Sequence, residues 1–247
     1  MNRQWTVALS LLALHCAACA APRKPLAPAA DSSESRAPEP ATAPVAEQPA
    51  ATAAAAFARD FDQDGSDRPP PGFSFARTGT GPLGRWVVRS EPGAPSGANV
   101  LAQLDTDDTD DRFPVAVLSE PALRDVRVSV RCKMISGRVD EACGLVARYR
   151  DENNYLVTRA NALGDNVRLY FVGAGQRHQL ASWSGRVTPN QWHAYRFDVR
   201  GDHLEVYWDG QRVLDHHDAT FSEAGRVGVW TKADSVTYFD DLRAEAP

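Results

Sequence analysis

The sequence predicts an all-β domain folded as a two-sheet antiparallel β-sandwich. Three observations carry the prediction. From Phe57 onward no stretch shows the apolar spacing of an amphipathic helix. Short alternating apolar and polar segments recur instead, broken by Gly, Pro, Asn and Asp. A dozen or more such segments fit between residues 57 and 247, which suits two packed sheets or a barrel.

The clearest segment is Val126–Met134. Val126, Val128, Val130, Cys132 and Met134 share one face, and Arg127, Ser129, Arg131 and Lys133 the other, as in a half-buried antiparallel strand. Further strands are expected at 86–89, 100–104, 113–118, 144–150, 155–161, 167–172, 179–183, 192–200, 203–208, 212–215, 226–231 and 236–244. Cys132 and Cys143 flank Ser136-Gly137-Arg138, which reads as a hairpin turn, and are expected to bridge across it as a disulfide.

The first 56 residues have a different composition. No glycine precedes Gly65, and residues 20–56 hold 15 Ala and 7 Pro, too little apolar bulk for a core. They read as a disordered, semi-rigid spacer over 19–56. The net charge of −5 belongs to residues 57–247, because the preceding segment carries equal numbers of acidic and basic side chains. A net-acidic domain without a Lys/Arg run is a poor phosphate binder, so nucleic acid is not an expected partner.

Residues 1–18 start with Asn2-Arg3 and continue through a short apolar run to Leu14, as an export signal does. The run is too short to be a permanent membrane span. The sequence Leu14-His15-Cys16-Ala17-Ala18-Cys19 resembles a bacterial lipoprotein signal, which implies lipidation at Cys19. Ala20, where an inner-membrane retention signal would carry Asp, implies the outer membrane. Contact with the membrane is then expected through the lipid alone. Ordinary secretion with cleavage after Ala18 or Ala20 is the alternative.

Two further blocks carry a family resemblance. Gln191-Trp192-His193 opens one strand, and Asp209-Gly210 closes the next, after Leu204 to Trp208. Together with the ending Gly228 to Lys232 and Val236 to Arg243, this order resembles laminin-G-like and concanavalin-A-like jelly rolls. Residues 144–159 resemble the branch of 3-keto-disaccharide hydrolase-like domains. The resemblance implies a jelly roll and a saccharide as ligand or substrate. It names no catalytic residue, since fold does not fix activity.

The motifs that bear chemistry are few. The Gly79-Thr80-Gly81-Pro82-Leu83-Gly84 pattern precedes a strand rather than a helix, so it reads as a loop, not a dinucleotide site. Asp62 or Asp64, together with Asp240, are candidate ligands for a structural calcium; the alternative is a solvated acidic turn. The acidic run Asp105 to Asp111 reads as exposed loop charge. His216-His217-Asp218 contains metal ligands, but adjacent strand residues point to opposite faces, which argues against a shared ion. No paired carboxylate motif and no nucleophile elbow is present.

Strand parity instead gathers a polar and aromatic face. It is expected to hold Arg148, Arg159, Arg168 and Lys232 with Asn161, Tyr155, Tyr170 and Trp230. Aromatic planes and guanidinium donors are what sugar recognition uses. Three functions follow as expectations: a cell-envelope lipoprotein that binds saccharide, a hydrolase acting on 3-keto-glycosides, or an adhesion module without a small ligand.

Overall fold

The computed structural model describes residues 57–247. Residues 1–56, and with them the export signal, the spacer and Cys19, lie outside the described residues. Every regular element is a strand, and no helix long and apolar enough to cross a membrane occurs among the described residues.

The first sheet runs, in spatial order, β13 (Gln211–His217), β12 (His203–Trp208), β11 (His193–Arg200), β6 (Val126–Ser136), β15 (Val236–Glu245), β4 (Asn99–Gln103) and β3 (Trp86–Ser90). A short β1 (Phe57–Arg59) also pairs with β15. The second sheet runs β10 (Gln176–Ser184), β9 (Asn166–Gly173), β8 (Asn154–Asn161), β7 (Ala142–Asp151), β14 (Arg226–Trp230), β5 (Arg112–Leu118) and β2 (Phe73–Gly79). All pairings are antiparallel. The chain is a jelly-roll sandwich.

The alternation in Val126–Met134 is realised as expected: its apolar set is buried, and the residues between are half exposed. That set meets Leu145, Ala147, Leu156, Leu169 and Val229 from the second sheet in the main core. Thr158 and Tyr195 tie the sheets through the same layer, with hydroxyl oxygens 2.7 Å apart.

Two expectations are corrected. Residues 136–138 do not turn a hairpin, because β6 and β7 belong to different sheets. The disulfide between Cys132 and Cys143 does form, with Cα atoms 6.5 Å apart, but it crosses the core from sheet to sheet. Two strands were also missed, β1 and β2. β2 lies between Pro69-Pro70-Pro71-Gly72 and a second Gly-rich stretch, so its apolar signal was short and read as loop.

The second sheet is strongly curled. Its outer face carries a second apolar cluster built from Phe113, Val115, Val146, Tyr149, Tyr155, Val157, Tyr170, Val172 and Trp230. Side chains bridge the hollow: the Tyr155 hydroxyl, on β8, lies 2.7 Å from Thr78 Oγ1, on β2 at the far edge. Twist accumulated between neighbouring strands gives such a sheet a concave face, and here that face fills itself.

Candidate functional site at the curled sheet

Register places Tyr155, Val157, Arg159 and Asn161 of β8 directly opposite Val172, Tyr170, Arg168 and Asn166 of β9. Residues opposite each other in a ladder share a face, so Tyr155, Arg159, Asn161, Arg168 and Tyr170 do come together. Trp230 joins them through β14, where it pairs with Gly144 of β7. Gly144 keeps that approach close: a Cβ would stand 3.0 Å from Trp230 Cε3 and 3.0 Å from the Thr158 carbonyl oxygen. The indole fills that space and stacks on Phe113, with centroids 5.5 Å apart and planes 9° from parallel.

Arg148 does not join the face, which corrects the parity argument. Against β14, Val146 stands opposite Gly228 and Tyr149 opposite Arg226, one residue more on β7 than on its partner, and Arg148 takes a positive φ of 49°. One extra residue in a strand turns its side chain away from the expected face. The Arg148 guanidinium is buried and donates to the carbonyls of Arg124, Phe221 and Gly201, with Asp125 at 3.4 Å. Gly225 makes room for this bulge, since a Cβ there would meet the Arg148 backbone at 2.4 Å.

Openness is the second correction. Trp230 is 1% exposed and Tyr155 is fully buried, so neither offers a free stacking plane. Burial pushes the Tyr155 hydroxyl up to about 12. These residues form the floor of the hollow rather than its contact surface.

The accessible part is a cavity of about 310 Å³ at the mouth, lined by Gly79, Thr80, Asp111, Phe113, Gly175, Gln176 and Arg177. Arg177, absent from the expected set, dominates it. Its Cζ lies 4.1 Å from the Phe113 ring centroid and 5.3 Å from that of Tyr170. Burial lowers its pKa, with Tyr170 opposing and the nearby Arg159 adding to the fall. The guanidinium is held by ring faces and makes no salt bridge to another described residue.

A charged relay lines the adjoining end of the sheet. Lys232 contacts Asp110 and lies 3.3 Å from Asp140. Asp140 also accepts from the Asn161 amide, and Arg159 donates to Asn166 at 2.9 Å. Burial raises the pKa of Asp140 against the pull of Arg159 and Lys232. Hydrogen bonding to Lys232 instead lowers that of Asp110. Asp234 accepts from the backbone N–H groups of Arg138, Val139 and Asp140, and so fixes the loop that carries Asp140. In the acidic run Asp108, Asp110 and Asp111 are exposed as expected, Asp110 while contacting Lys232, and half-buried Asp105 pairs with the fully buried Arg112 at 3.0 Å. Arg168 lies on the face without reaching the relay, and its Nε has no hydrogen-bond partner.

The carboxylates expected at a calcium do not converge as a trio among the described residues. Asp64 is paired with Arg59 at 2.6 Å. Asp62 and Asp240 both hold the loop 96–99: Asp62 accepts from the N–H groups of Ala98 and Asn99, and buried Asp240 from Ser96. The chain's own N–H, hydroxyl and guanidinium donors already engage these carboxylate oxygens.

Comparison with known proteins agrees with the architecture. The carbohydrate-binding module CBM66 from Bacillus subtilis superposes with a TM-score of 0.55 at 20% identity, over 70% of this chain and 95% of that one. A Bacillus licheniformis β-glucanase gives 0.52 at 12% identity, over 77% and 98%. The fold is theirs. In sequence, 99 residues are 26% identical to a levanase of Bacillus subtilis, 39% of this chain and only 14% of that enzyme's length. No family model matches the chain.

Proposed function

We propose that this domain binds saccharide at the mouth of the curled sheet. The observation that carries the reading is Arg177, a guanidinium without a salt-bridge partner, laid over two aromatic rings at the lip of a cavity. Sugars offer hydroxyl groups to charged donors and acceptors. Arg177 supplies the donors and Asp111 an acceptor, with Lys232, Asp140 and Arg159 behind them, while the buried rings of Phe113 and Tyr170 hold the guanidinium in place. The carbohydrate-binding module and the glucanase support this reading through shared fold, and the levanase through its matching segment. A lipid on Cys19 and the Ala/Pro spacer would present the site from the cell envelope.

Calorimetric titration of the full chain with levan and β-glucan oligosaccharides tests the proposal. Saturable binding that Arg177→Ala weakens supports it. Binding indifferent to that substitution overturns this site, and no binding to any saccharide in a broad panel leaves the adhesion module.

Hydrolysis of a 3-keto-glycoside is the second reading, and Asp140 is the observation in its favour. A buried carboxyl that keeps its proton above the ordinary range suits a general acid. Loss of turnover with retained binding in Asp140→Asn would distinguish catalysis from simple recognition.

A further inference from the structure

The last hairpin of the first sheet, in the sheet opposite the curled one, gathers metal-ligating side chains that adjacency in sequence concealed. β12 and β13 pair so that His203 stands directly opposite His217. Their rings stack, with centroids 4.6 Å apart and planes 10° from parallel. Asp215, two residues before His217 and so on the same face, places Oδ1 2.8 Å from His203 Nε2. One donor atom from each of His203, Asp215 and His217 falls within 4.8 Å of the others, the one such trio among the described residues.

We propose that this hairpin end binds a divalent transition-metal ion of the zinc class, ligated by His203, His217 and Asp215. Two imidazoles and one carboxylate suit zinc, nickel and copper better than the hard cations, which prefer oxygen alone. Tetrahedral zinc with bonds of about 2.0–2.1 Å separates its donor atoms by about 3.3 Å. Replacing the proton between His203 Nε2 and Asp215 Oδ1 by an ion therefore asks for a shift of about half an ångström.

Asp202 prepares the second imidazole. Its Oδ1 lies 3.3 Å from His217 Nδ1, and an acceptor on one ring nitrogen favours the tautomer whose other nitrogen is free to ligate. The ladder fixes the spacing of the two histidines before any ion arrives. Arg212 is the opposing charge. It takes the other carboxylate oxygen of Asp215, at 2.9 Å, and leaves Oδ1 to the trio. Asp215 and His217 are exposed and His203 half-buried on the outermost pair of strands, so the ion has an open approach.

His216 is the internal control. It pairs with Leu204 and points to the other face. Equilibrium titration of the full chain with zinc chloride, and separately with nickel chloride, is expected to give one ion per chain at micromolar affinity. His203→Ala and His217→Ala should each weaken binding at least about tenfold, the double variant should abolish it, and His216→Ala should leave it unchanged. Thermal melting of each variant confirms that these surface changes leave the domain folded. No binding below millimolar metal overturns the proposal, as does equal loss in His216→Ala or retained affinity in the double variant.

Discussion

Arg177 reaches over the ring of Phe113, with its Cζ 4.1 Å from the centroid, although the two residues come from strands near opposite edges of one sheet. Arg177 lies on the β10 edge, and Phe113 lies one strand in from the β2 edge. The contact therefore measures the curl of the sheet and marks the lip of the cavity.

Removing that guanidinium should affect ligand more than fold. Arg177→Ala is expected to weaken saccharide binding by about 1–3 kcal/mol, as loss of a charged donor does. Calorimetry on the variant checks this, with the exposed Arg186→Ala as a control that should bind normally. Arg127, on the polar face of β6, would be a poor control because it forms a paired contact with Asp198 at 3.0–3.2 Å.

The inter-sheet disulfide should contribute about 2–4 kcal/mol to stability. Cys132→Ala with Cys143→Ala is expected to lower the melting temperature by several degrees or more. Reductant should then lower the melting temperature of the parent chain and leave the double variant unaffected.

Asp234 provides a pH test. Burial alone would raise its pKa, but the backbone N–H groups of Arg138, Asp140, Val139 and Asp234 itself outweigh it and hold the carboxyl below its ordinary 3.8. Its contribution is therefore fully present above about pH 4 and is lost as pH falls through the depressed folded value. Asp234→Asn should cost about 1–3 kcal/mol at neutral pH. Denaturant melts from pH 7 down to pH 2 should show the gap to the parent chain narrowing only below about pH 4.

Gly225→Ala tests the Arg148 bulge. The added methyl would stand 2.4 Å from Arg148 backbone carbon, which no side-chain rotation relieves. A loss of at least about 2 kcal/mol is expected from such overpacking. Gly144→Ala, whose closest contacts are 3.0 Å, should cost less. Parallel denaturant titrations rank the two.

The sandwich was legible because strands such as Val126–Met134 bury one face, and that burial writes itself into alternate positions. Tyr155, Arg159, Asn161, Arg168 and Tyr170 were placed on a common face by the same parity. Arg148 departs from the parity because a one-residue bulge leaves no compositional trace. Arg177 escaped notice for a different reason. It follows Gly173-Ala174-Gly175 in what reads as a turn, and its partner Phe113 becomes a neighbour only through the curl. That Trp230 and Tyr155 are floor rather than platform was equally invisible, since alternation reveals which side a residue takes but not how far the sheet bends.

That bend makes the mouth a collective dimension. Five strand-to-strand steps separate β10 from β5, and each neighbour adds about 20–25° of twist. The gap between Arg177 and Phe113 is thus a sum over the intervening ladders, the way the jaw of a spring clip depends on the whole arc of metal. A substitution in β8 or β7 that flattened the arc by a few degrees would widen the jaw without touching either lip. Selectivity for one ligand width over another could then drift through mutations in the middle of the sheet, while every residue at the mouth stayed the same.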